Sequence, residues 1–255
     1  MSTQPAVITQ QREGVLILTL NRPAALNAIS RELARALVHA LEAANADPAI
    51  QALVVIGSGE RAFCAGVDLK EAQALSADDV APWFELISRC YRQILLVDKP
   101  VVSALNGVAA GGGYQIALVS DWRIGHSRSR MTQPEINAGL PSIMGAYLMR
   151  FHLPWSLNQE LSYTGRVMYA DECRRLGLLN EMVEAPELLD AAVARARALA
   201  GKSTIAFRAT KARFREFALS GFEDARAAAI AGMQAAYATG DPQAQMARFL
   251  AKDGT

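Results

Sequence analysis

The sequence predicts an α/β fold with mainly parallel strand pairing, followed by a helical C-terminal section. Three observations carry this. GVLILTLNRP, QALVVIGSGE and KPVVSALNG each hold a short apolar run that reads as a buried strand. Helical patterns stand between these runs, and strand–helix alternation favours parallel crossovers. Beyond about Pro186 no strand signal interrupts an Ala-rich helical texture.

Each element has its own justification. The first strand ends at Asn21-Arg22-Pro23. Ser30 is the N-cap of the first helix, with Glu32 in its first turn and apolar spacing at Leu33, Leu37 and Leu41. The second strand stops at a Gly-rich turn. RAFCAGVDLKEA then reads as a loop feeding a helix at Asp68, and a helical pattern runs from about Asp79 to Leu96. The third strand is β-branched and opened by a proline. Three glycines, Gly111 to Gly113, lead into a short helix, and DWRIGH reads as another strand. In the C-terminal section, apolar stripes run through Leu188, Leu189, Val193 and Ala196, and later through Phe207, Phe214 and Phe217. This section reads either as a plain helical layer or as an oligomer interface.

Composition narrows the function. The chain has 255 residues, 51% of them hydrophobic, which suffices for one core and a smaller appendage. Its net charge of +1 argues against a general nucleic-acid or membrane-surface protein. No apolar run approaches a membrane span of ~20 residues, and the N-terminus lacks the pattern of a signal peptide. Cys64, Cys90 and Cys173 lack metal-ligand spacing and read as reduced thiols of a cytoplasmic protein. No metal site is suggested.

The chemistry concentrates in three segments. In NGVAAGGGYQIALVSD, glycine allows close backbone approach, and a helix N-terminus offers unpaired N–H groups and partial positive charge. The pair suits a developing negative oxygen, although a glycine run taken alone more often marks a tight strand-to-helix crossing in which glycine relieves crowding. It is no phosphate loop, since no Lys-Ser/Thr follows, and no dinucleotide fingerprint, since the glycines are contiguous. RAFCAGVDLKE is a second small-residue loop entering a helix, so the two loops together can supply two amide donors. MTQPEINAGLP places Glu135 behind a proline among small and apolar residues, where burial would raise its pKa to suit acid/base work.

These segments, with LNRPAALNAIS, SYTGRVMYADECRRLGLLNEMV and MARFLAK, resemble the enoyl-CoA hydratase/isomerase (crotonase) family over nearly the whole chain. The resemblance implies a crotonase-like ββα spiral core over residues 1–190 and a helical C-terminal oligomerisation section over 191–255. It implies an acyl-CoA thioester substrate, coenzyme A being part of the substrate and not a cofactor, and a homotrimer or dimer of trimers. The oxyanion hole would be the amides of Val67 and Gly112, with Gly111 beside them. Ala65, Gly66 and Asp68 would hold the adenine end of coenzyme A, mostly through backbone, and Lys252 its phosphates, with Lys70 a possible assistant. Trp83, Phe84, Tyr114 and Tyr147 could shape the acyl pocket, but for each of them core packing is the favoured reading.

One departure matters most. The family's hydratases carry two acid/base carboxylates; here Glu135 matches the second, but Gln115 stands in place of the first. Glutamine hydrogen-bonds but neither accepts nor delivers a proton at neutral pH. A single carboxylate suffices to move a double bond, so isomerisation of an enoyl-CoA is placed slightly ahead of hydration of a 2-enoyl-CoA. A second departure, GLPSIMGAYLMRF, borders the acyl pocket in the family. Rivals are a thioesterase, a non-catalytic acyl-CoA binder, and a Ser/Cys–His hydrolase drawing on His39, His126 or His152; Cys64 lies near the loop but lacks a nucleophile-elbow pattern and reads more readily as a buried thiol. An RNA role lacks its charge, because the first helix has no lysine.

Overall fold

The computed structural model describes residues 4–252. The chain opens with a hairpin, β1 (Val7–Arg12) and β2 (Val15–Leu20), paired antiparallel from Val7↔Leu20 to Arg12↔Val15. Its two-residue turn, Glu13-Gly14, has positive φ at both positions, the twist that a tight hairpin needs. Helix α1 (Arg31–Ala46) begins at Ser30, whose hydroxyl accepts from the Leu33 amide at 3.2 Å. The expected cap is therefore present.

Three strand–strand–helix units then follow. β3 (Ala52–Gly57) leads to β4 (Ala62–Cys64), a short α2 (Leu69–Gln73) and α3 (Val80–Leu96). β5 (Val101–Leu105) leads to β6 (Val108–Ala110) and α4 (Gly112–Val119). β7 (Trp122–Gly125) leads to β8 (Arg130–Thr132) and α5 (Ile143–Met149). In each unit the first strand joins one sheet and the second strand another. The large sheet runs β1-β2-β3-β5-β7-β10, closed by the two-residue β10 (Glu181–Met182). The small sheet runs β4-β6-β8-β9, closed by β9 (Val167–Tyr169). Pairing is parallel except for β1–β2 and β8–β9. Between β8 and β10 lie α6 (Trp155–Thr164) and α7 (Ala170–Arg175).

The large sheet is buried on both faces, and the period of two sorts its residues. Val15, Ile17, Ala52, Val54, Val102 and Ala104 face α8 (Leu188–Ala200) through Leu188, Ala192, Val193 and Ala196. Leu18, Leu20, Leu53, Val55, Val101 and Leu105 face the main core. Near-continuous apolar runs are what a doubly covered parallel sheet requires. The expected division after residue 190 passes through α8.

Three more helices complete the chain: α9 (Thr204–Leu219), α10 (Phe222–Thr239) and α11 (Asp241–Lys252). Helix α10 joins the main core through Phe222, Ala225, Ala229, Met233 and Tyr237. In α9 only Lys211 is buried, while Phe214 and Phe217 are 69% and 50% exposed. The stripe read from the sequence therefore does not enter the chain's own core.

Part of the segment expected to be a loop is β4. The helix after it starts at Leu69, with Asp68 as its cap. All four strands of the small sheet are three residues long. Such stretches are too short to show alternation, so only the tertiary pairing reveals them.

Candidate active site

The small sheet delivers the two small-residue loops to one place. Gly111 caps α4 with φ 49° and ψ −119°, and a Cβ there would lie 2.8 Å from Glu135 Oε1. Both the backbone conformation and the neighbouring carboxylate call for glycine. A Cβ on Gly113 would lie 2.1 Å from the Cys64 carbonyl oxygen, so α4 is pressed against the end of β4. This brings the first residue of α4, Gly112, beside Gly66: a Cβ built on Gly66 would be 3.5 Å from the Gly112 amide nitrogen.

The Val67 amide is aimed by its backbone pairing. Val67 forms a parallel bridge with Ile29, in which the Ile29 amide donates to the Gly66 carbonyl at 2.7 Å and the Asp68 amide to the Ile29 carbonyl at 3.1 Å. In a parallel bridge the residue between those two bonds turns its own N–H to the opposite side. Among the described residues, neither the Val67 nor the Gly112 amide donates a hydrogen bond. Both residues border a cavity of about 30 Å³ that Glu135 and Gln115 share.

Glu135 opens a 3₁₀ turn, Glu135–Ala138, directly after Pro134. The residue as a whole is partly exposed, but its Oε2 is buried and without a partner. Oε1 accepts from Gln115 Nε2 at 3.1 Å. Burial pushes the carboxyl up to about 7. Its own backbone amide and the Gln133 amide oppose that rise. Gln133 approaches the carboxylate without completing a well-directed hydrogen bond. A carboxyl poised near neutrality suits proton transfer in both directions.

The remaining candidates separate. The Ala65 amide donates to the Leu26 carbonyl at 3.0 Å. Asp68 accepts from the Lys70 and Glu71 amides at 3.0 and 3.2 Å and pairs with Arg22 at 2.7 Å. Burial alone would raise the Asp68 carboxyl, but Arg22 and the two amides outweigh it and hold it low. Its side chain is thus committed to shaping the loop. Lys252 ends α11, and its side chain lies outside the described residues.

Of the four aromatic candidates, Trp83 and Phe84 border the cavity. Tyr114 is buried elsewhere, and the Tyr147 hydroxyl donates to the Ala218 carbonyl at 2.8 Å and accepts from the Gly221 amide at 3.1 Å. Cys64 is buried, which pushes its thiol up to about 12, and no histidine borders the cavity. A Cys–His hydrolase has no basis in this arrangement.

Sequence reasoning missed several cavity residues. Tyr91 places its hydroxyl 2.8 Å from where a Cβ of Gly112 would be. Ser142 and Gly145 come from the segment already marked as a departure, but Ala229 and Met233 come from α10, over 90 residues beyond Glu135. No local pattern in the sequence links α10 to this site.

Comparisons with known proteins agree with this architecture. A sequence profile described as enoyl-CoA hydratase/isomerase matches residues 10–254. The chain is 33% identical to a crotonyl-CoA hydratase of Syntrophomonas wolfei, over 96% of this chain and 95% of that protein. It is 34% identical to a carboxymethylproline synthase of Pectobacterium carotovorum, over 96% and 99%. In three dimensions it matches an enoyl-CoA hydratase/isomerase crystal structure from Mycobacterium paratuberculosis with a TM-score of 0.88. That match covers 97% of this chain and all of the other at 24% identity, and so speaks for the crotonase-like fold alone. The chain belongs to the enoyl-CoA hydratase/isomerase family.

Proposed function

We propose that this enzyme binds an acyl-CoA thioester with its carbonyl oxygen against the Val67 and Gly112 amides. As an enolate forms, those two donors take up its charge. A donor of this kind is worth about 2.7–4 kcal/mol in other enzymes. Glu135 is the single acid/base: it removes a proton from C2 of a 3-enoyl-CoA and returns it at C4, which shifts the double bond. The observation that carries this reading is the Gln115–Glu135 hydrogen bond of 3.1 Å. The residue beside the base is a donor with no proton to exchange, so one carboxylate acts alone.

Hydration of a 2-enoyl-CoA is the second reading. Gln115 Oε1 and Glu135 Oε2 are both buried without partners on the wall of one cavity, an arrangement suited to holding a water between them. The similarity to a crotonyl-CoA hydratase supports it as well.

The same reading gives Ala65, Gly66 and the Asp68 backbone to the adenine end of coenzyme A, and Lys252 to its phosphates. It makes the C-terminal section an oligomerisation surface, in a homotrimer or dimer of trimers. The exposed Phe214 and Phe217, with Ile205 84% exposed, support that assignment. The three buried free thiols agree with a cytoplasmic setting.

Incubation with crotonyl-CoA and, separately, with 3-hexenoyl-CoA tests the reaction. Conversion of 3-hexenoyl-CoA to the conjugated 2-enoyl isomer at unchanged mass supports isomerisation. A mass gain of one water from crotonyl-CoA refutes single-carboxylate isomerisation in favour of hydration. Release of coenzyme A as the only product would point instead to thioester hydrolysis.

A further inference from the structure

The cavity beside Glu135 carries more polar groups than a double-bond shift in an alkyl chain uses. Trp83 Nε1, both polar atoms of the Gln133 amide, and Ser142 Oγ are buried without hydrogen-bond partners, and all three residues border this one cavity. Trp83 is 1% exposed and Gln133 0%. They come from separate parts of the chain, α3 and the segment between β8 and α5. The Gln133 amide is also held tightly: a Cβ on Gly145 would lie 1.9 Å from its Nε2, so only glycine at that position of α5 leaves it room. Buried polar atoms are nearly always paired, and an exception calls for a reason.

The chemistry of the set is specific. Trp83 is a donor only, Ser142 can donate, and the Gln133 amide brings two N–H groups. Among the described residues, no lysine or arginine borders the cavity. Phe84, Leu140, Met144 and Met233 also border it and suit a carbon chain. An unsubstituted alkyl chain would fill this space, displace water from the donors and leave them unpaired. An acyl chain with an acceptor oxygen would pair them.

From this we infer that the acyl group bears an oxygen function beyond the thioester, received by the Trp83 indole N–H and the Ser142 hydroxyl. The inference rests on the acyl-CoA reading above and names its substrate class. Hydroxyl and carboxylate oxygens share the required chemistry.

Three thioesters of equal chain length separate the cases: butyryl-CoA, 4-hydroxybutyryl-CoA and succinyl-CoA, titrated calorimetrically beside coenzyme A alone. The expected result is that at least one oxygenated thioester binds tenfold or more tightly than butyryl-CoA; the tighter of the two names the oxygen function. That ratio should fall below threefold in Trp83→Phe and again in Ser142→Ala. As a ratio within one protein, it is insensitive to a partial loss of folded material. Equal binding of all three thioesters by the wild type, or a ratio unchanged in both variants, overturns the inference and leaves the acyl-CoA reading standing. If no thioester binds more tightly than coenzyme A, the acyl-CoA reading fails and the inference falls with it.

Discussion

Replacing Gln115 by leucine removes the hydrogen bond of 3.1 Å that Glu135 Oε1 accepts from the Gln115 amide, while nearly keeping the volume. Hydrogen bonds to charged groups contribute about 1.5–3 kcal/mol. This one favours the carboxylate over the acid, so its loss adds to the burial that already pushes Glu135 up to about 7. At 1.36 kcal/mol per pKa unit, the energy corresponds to a rise of about one unit or more. Glu135 must be deprotonated to act as the base, so activity climbs with pH through its pKa. The pH profile of kcat/KM should therefore show a rising limb centred near 7 in the wild type, displaced upward by about one pH unit in Gln115→Leu. At pH 6 this is about a tenfold loss, against a much smaller one at pH 9. Measurement of initial rates on the active thioester between pH 5 and 10 decides it. A limb that stays in place, or moves down, would refute the view that Gln115 holds Glu135 in its charged form.

Other expectations follow from the same geometry. Glu135 is raised in the fold from an ordinary 4.5 to about 7, so its stability contribution is full below pH 4.5 and lost as pH rises through 7, by about 3 kcal/mol. Glu135→Gln should then lose less stability than wild type between pH 5 and pH 8 in denaturant titrations, while losing most activity; parallel stability curves would contradict this. Gly113→Ala forces a Cβ to 2.1 Å from the Cys64 carbonyl, a backbone atom that cannot swing aside. It should cost several kcal/mol or fail to fold, as far-UV circular dichroism during melting would show. Lys211 pairs with Asp121 at 2.6 Å and donates to the Lys99 carbonyl at 2.8 Å as the buried anchor of α9. Lys211→Met leaves the Asp121 carboxylate with the Val101 amide as its remaining donor, at 2.8 Å, and should destabilise by about 1–3 kcal/mol, read as a shift in the urea midpoint.

Much of this protein was legible before any coordinate was known, because its signals are local. The large-sheet strands beginning at Val15, Ala52 and Val101 showed as apolar runs, and the Ser30 cap showed as a residue type in front of a helical pattern. The glycines before Tyr114 and the spacing of Gln115 and Glu135 were equally plain, being close in the chain and chemically distinctive. The small sheet was not, because three-residue strands such as Ala62–Cys64 have no periodicity of their own and exist only through their neighbours. The separation of Tyr114 and Tyr147 from Trp83 and Phe84 was also invisible, since aromatic composition does not say which way a ring faces. Nor could any local pattern bring Met233 of α10 to the cavity, or show that Gly145 makes room for the Gln133 amide. Sequence determined the chemical parts and the order in which they occur. The tertiary structure decided which of them meet, because contacts between residues far apart in the chain are set by how layers pack and not by any local preference of the backbone.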